Sequence, residues 1–132
     1  MKRIIITVLG TLSIGLLTGC LSNKFDGPEK LGGQWVPAKT LNLGYDTYRQ
    51  YCMQCHGLEG DGNGPAAYGM NPAPRNFKQG FYKFGSVTTG ELPTDDDLKH
   101  TIRYGLKGTP MLPWDISDER LDAVVQGEDL GI

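Results

Sequence analysis

Leu41, Tyr45, Tyr48, Cys52 and Cys55 recur at spacings of four, three, four and three, which is one face of an α-helix. The pattern predicts a helix over residues 41–56, with Gly57 as a natural stop. A second helix is expected over residues 95–105. Thr94 is its N-cap, and Asp95, Asp96 and Asp97 lie in the first turn, where the peptide dipoles favour negative charge. Leu98, Ile102 and Leu106 form its inward stripe, and Gly105 ends it. Ser117 caps a third helix, with Ile116 and Leu121 spaced as a hydrophobic staple and Leu121, Val124 and Val125 as its buried face. Between the first two helices, Gly60, Gly62, Gly64 and Gly69 with Pro65, Pro72 and Pro74 prevent long regular elements. Phe77, Phe81, Tyr82 and Phe84 in this stretch are expected to wall the core. No run alternates convincingly enough for a strand. The reading is an all-α domain of three or more helices joined by long loops.

The chain ahead of residue 41 has a different character. Lys2 and Arg3 precede an apolar stretch from Ile4 to Leu17, which is short for a bilayer span of about 20 residues. It ends in Leu17-Thr18-Gly19-Cys20. A charged start, an apolar middle and small residues before the break read as a secretory signal. The box closing on Cys20 resembles that of a bacterial lipoprotein signal. The resemblance implies a signal over residues 1–19 and a mature chain beginning at a lipid-modified Cys20. Residues 20–40, with Gly27-Pro28, Gly32-Gly33 and Pro37 and no sustained period, read as a tether, and residues 41–132 as the domain. Trp35 and Val36 are apolar exceptions in the tether that could dock on the domain. Leu21 after the cysteine is no aspartate-type inner-membrane retention signal, so the expectation is the cell envelope, facing the periplasm, with the outer membrane slightly favoured.

With 39% hydrophobic residues the composition is that of an ordinary folded domain. The formal charge is −2, and loss of Lys2 and Arg3 with the signal would leave 11 basic residues against 15 acidic. Neither balance nor any basic stripe suits nucleic acid. The three cysteines, Cys20, Cys52 and Cys55, cannot make a complete disulfide framework.

Cys52-Met53-Gln54-Cys55-His56 is the C-x-x-C-H pattern of c-type haem attachment. Cysteines three positions apart on a helix can form thioethers along one side of a porphyrin, and His56 can offer a ring nitrogen to the iron. A thiol–disulfide site would expect a βαβ context and leaves His56 unused. Zinc held by Cys52, Cys55, His56 and His100 would need adjacent residues on one tetrahedral ion. Asp61-Gly62-Asn63-Gly64 suggests calcium only superficially, because Pro65 occupies a ligand position; a glycine turn is the simpler reading.

A second iron ligand could come from Met53, Met70, Met111 or His100. Met53 lies inside the attachment segment, on the wrong side. Met70 has the reach. His100, two residues from inward Leu98, should face solvent. Met111 stands between Pro110 and Pro113, which stiffen the backbone, and follows Gly105 and Gly108, which allow close approach to a flat ligand. It is the favoured ligand. Histidine–methionine ligation raises the reduction potential and leaves no open position for oxygen chemistry.

Together these features resemble the class I, small monohaem cytochrome c family over residues 44–125. Gly44 and Tyr48 match its N-terminal helix, Cys52, Cys55 and His56 its attachment motif, Thr94 to Tyr104 the helix before the distal loop, and Gly108-Thr109-Pro110-Met111 the ligand loop. The resemblance implies one covalent haem c on Cys52 and Cys55, with His56 and Met111 as axial ligands. Arg75 and Trp114 are further candidates for contact with the propionates. It implies an electron-transfer protein, not an enzyme, meeting redox proteins or a respiratory complex beside the membrane that holds Cys20. A haem-based sensor or peroxidase-like enzyme is the alternative if Met111 is off the iron. The sequence departs from the family at its last helix, which is expected to be short because the pattern loses coherence after Val125.

Overall fold

The computed structural model describes residues 23–82, 85–88 and 90–127. Two short strands come first: β1 (Glu29–Leu31) and β2 (Gln34–Val36), paired antiparallel with Glu29 opposite Val36. Gly32 (φ 52°) and Gly33 (φ 85°) make the two-residue turn, which needs positive φ at both positions. Four helices follow: α1 (Ala38–Tyr51), α2 (Met53–His56), α3 (Asp95–Tyr104) and α4 (Asp118–Gly127). The molecule is mainly helical, as the hydrophobic spacing predicts.

The hairpin lies within the segment expected to be a tether. Its inner residues Leu31 and Val36 are buried against Leu41 of α1, with Phe25 packed on the same cluster. The Asn42 side chain clips the preceding chain to α1. Its Oδ1 accepts from the Lys24 and Phe25 N–H groups at 2.9 and 3.0 Å, and its Nδ2 donates to the Phe25 carbonyl at 2.8 Å. Of the two expected docking residues, Val36 is buried, whereas Trp35 is 70% exposed.

The main core joins Tyr48 of α1 to Ile116, Leu121, Val124 and Val125, with Leu98 and Ile102 of α3 packed against it. The two long helices of this core touch backbone to backbone. A Cβ at Gly44 would run into the Ala123 carbonyl, so glycine is what lets α1 and α4 cross so closely. That contact lets the described residues of α4, Asp118–Gly127, close the core against α1. α3 begins where expected. Thr94 and Asp97 form a capping box, and Gly105 (φ 68°) ends the helix. Lys99–Asp122 (2.7 Å) and Arg103–Asp118 ion pairs tie α3 to α4, but both lie at the surface and add little. Residues 128–132 and Phe84 lie outside the described residues.

Candidate haem-binding site

The helix expected over residues 41–56 is broken at its chemically important end. α1 stops at Tyr51, Cys52 takes φ −111° and ψ −37°, and the single turn α2 carries Met53 to His56. The Cys55 and His56 N–H groups both donate to the Cys52 carbonyl, at 3.1 and 2.9 Å. Cys52, Cys55 and His56 therefore share one turn. Both cysteine side chains are half-buried. Gly57 (φ 83°) then reverses the chain. The buried Tyr48 hydroxyl donates to the Gly57 carbonyl at 2.6 Å and fastens this reversal to α1.

His56 is oriented from two sides. Its Nδ1 lies 3.1 Å from the Arg75 carbonyl. A carbonyl can only accept, so Nδ1 carries the proton and Nε2 presents a lone pair. The Phe77 ring stacks on the imidazole, with centroids 4.5 Å apart and planes 16° from parallel. Burial pushes the His56 pKa below its ordinary value, against the opposing effect of the Arg75 hydrogen bond. Neutral imidazole is the form that binds a metal.

The loop after His56 is laid onto the attachment turn by backbone hydrogen bonds. Gly62 N–H donates to His56 O (2.8 Å), Gly64 N–H to Cys55 O (3.1 Å) and Ala66 N–H to Gln54 O (2.8 Å). A Cβ at Gly64 would collide with the Gln54 carbonyl. Phe77 opens a short 3-10 turn (Phe77–Gln79) whose N–H reaches back to Gly60 O at 2.8 Å. Phe77 packs against the main core, as its aromatic cluster suggests, and also walls the site through His56, with Tyr82 stacked beyond it at 6.3 Å. Phe81 does not; it is 71% exposed.

Met111 sits, partly buried, in a loop that closes on itself. Leu106 N–H donates to Met111 O (3.0 Å), and Thr109 N–H to Leu106 O (3.1 Å). The Thr109 hydroxyl also donates to Leu106 O (2.8 Å) and accepts from Met111 N–H (3.1 Å). Trp114, just past this loop, meets Tyr51 edge to face at 5.6 Å, one residue before Cys52. This contact brings the end of the Met111 loop beside the turn that carries Cys52, Cys55 and His56. His100 is exposed, with its ring against Tyr104 at 4.6 Å. Among the described residues no group of three or more His, Cys, Asp or Glu side chains is placed to hold a metal ion. The zinc set with His100 is not assembled. Cys20 lies outside the described residues.

Sequence reasoning missed the Arg75 carbonyl and the Tyr48–Gly57 bond. A backbone acceptor leaves no signature in a side-chain pattern; Tyr48 was legible only as a helix-face residue. The donor set fits haem c: two thiols and one imidazole lone pair on a single fixed turn, with an aromatic wall behind the imidazole.

No curated protein matches the chain. Among solved structures it is similar to a chain of the "Kuenenia stuttgartiensis reducing HAO-like protein complex Kustc0457/Kustc0458", with 44% identity and a TM-score of 0.63 over 65% of this chain. It spans only 40% of that chain. Residues 39–126, about two thirds of the chain, match the family model described as cytochrome C oxidase, cbb3-type, subunit III. With that match added to the C-x-x-C-H turn and its oriented histidine, the chain belongs to this family of c-type cytochromes, whose members bind haem c covalently.

Proposed function

We propose that the protein is a carrier of single electrons with one haem c, attached through Cys52 and Cys55 and ligated by His56 and Met111. The observation that carries this reading is the single turn that joins two half-buried cysteines to an imidazole oriented by the Arg75 carbonyl. Haem c, when bound, supplies a reversible one-electron couple. The chain's own residues do the rest. Arg75 O and Phe77 fix the His56 ring, and burial keeps it neutral. The Leu106–Met111 hydrogen bonds give the methionine loop a set shape. Leu98 and Ile102 provide apolar surface that excludes water.

The partners are redox proteins met in small, brief interfaces, or neighbouring subunits of a respiratory assembly. The similar solved chain belongs to a protein complex, which supports either. Cys20 carries lipid and holds the protein on the periplasmic face of the cell envelope, with the outer membrane favoured. The Leu17-Thr18-Gly19-Cys20 box supports this. Among the described residues no helix is long and apolar enough to cross a membrane.

Oxidised and reduced visible spectra, from a host able to export the protein and attach haem, test the main reading. A c-type spectrum with a methionine–iron charge-transfer band is expected. M111A should lose that band, lower the midpoint potential and bind carbon monoxide when reduced. A wild-type protein without the band that binds carbon monoxide at once would favour a sensor or enzyme. For the anchor, C20S should move the protein from the membrane fraction to the soluble one.

A further inference from the structure

The hydrogen bonds of the methionine loop are mostly internal. Leu106, Thr109 and Met111 bond to one another, which sets the loop's shape but not its place in the molecule. Nor do its outer side chains bury it: Leu112 is 63% exposed and Pro113 is exposed. Placement comes from the loop's two ends. At one end Gly105 caps α3, its N–H donating to Thr101 O at 2.9 Å. At the other end stands Trp114. Its N–H donates to Ile102 O at 3.0 Å, on the last turn of α3. Its indole meets the Tyr51 ring at 5.6 Å with planes 69° apart. Tyr51 is the last residue of α1, next to Cys52, and packs against the main core.

We infer that Trp114 is a positioning residue: braced on Tyr51, it holds the Gly105–Pro113 loop beside the attachment turn and so keeps Met111 within reach of the iron. This rests on Met111 being the sixth ligand, as proposed above. Trp114 acts through the loop backbone and does not itself ligate. Edge-to-face aromatic pairs add modest stabilisation beyond their buried area. In the ligated state that stabilisation opposes swinging the loop away. Its loss should populate the methionine-off form roughly tenfold more.

The test compares wild type, W114L, W114F and Y51L as haem-loaded proteins. The charge-transfer band is followed with temperature, and carbon monoxide binding to the reduced form is timed. W114L and Y51L should keep the c-type spectrum. They should lose the methionine band at lower temperature than wild type and bind carbon monoxide roughly tenfold faster. W114F, which retains an aromatic edge, should fall between. The double variant W114L/Y51L should be no worse than either single variant, because both remove the same contact. If W114L fails to mature, W114F and Y51L make the same comparison. Variants with band stability and carbon monoxide rates like those of wild type would overturn the latch while leaving Met111 as ligand. A wild-type protein without the band would overturn the ligation, and the latch with it.

Discussion

The Asp97 carboxylate closes α3 and the loop before it with one set of oxygens. It accepts from the Ser86 N–H at 3.0 Å, the Thr94 hydroxyl at 2.8 Å and the Thr94 N–H at 3.0 Å. These bonds, the Ser86 N–H first, hold its pKa down at about 2, from 3.8. A carboxyl depressed on folding contributes stability that is whole above its unfolded value and is lost as pH falls through the folded one. The contribution of Asp97 should therefore disappear between about pH 4 and pH 2. D97N should unfold at a lower temperature than wild type at pH 6, and the gap should narrow across that window. Tyr48 works at the same scale. Y48F leaves the Gly57 carbonyl without its 2.6 Å donor. It should cost about 1–3 kcal/mol in denaturant unfolding, because a buried acceptor is stranded.

Between elements, the close crossing of α1 and α4 depends on the absence of a side chain at Gly44. G44V should separate the helices and destabilise the fold by about 1–3 kcal/mol or more, read as a lower denaturant midpoint with unchanged slope. Elements were legible where their signals are local. Thr94 and Gly105 announce both ends of α3, and Ile116 with Leu121 announces the start of α4; both residues are buried together. The hairpin was not legible. Three-residue strands are too short to display a period of two, and this pair is held by Leu31 and Val36 packing on Leu41, a contact made only after folding. The break at Cys52 was hidden for the opposite reason. The apolar spacing runs straight through it, so the period continues while the backbone does not. In the candidate site, the residues proposed to carry the chemistry are readable from type and spacing. Those that aim them, the Arg75 carbonyl and the glycine loop over residues 57–64, act through backbone groups that side-chain patterns do not report.

For the molecule as a whole, the clip between Asn42 and residues 24–25 fixes where the chain ahead of α1 joins the folded domain. N42A should release this segment, seen as faster amide exchange from Lys24 through Val36, with the haem spectrum unchanged. With lipid on Cys20, as proposed, four residue steps separate the anchor from the clipped Lys24, a span of at most about 14 Å. A cytochrome moored so closely is a surface-bound reactant. Its encounter rate is set by lateral diffusion and by which side it turns to its neighbours, more than by its bulk concentration. Inserting a flexible stretch between Cys20 and Lys24 should leave the potential untouched. It should change electron delivery to a membrane-bound partner, separating the range of the mooring from the chemistry of the site.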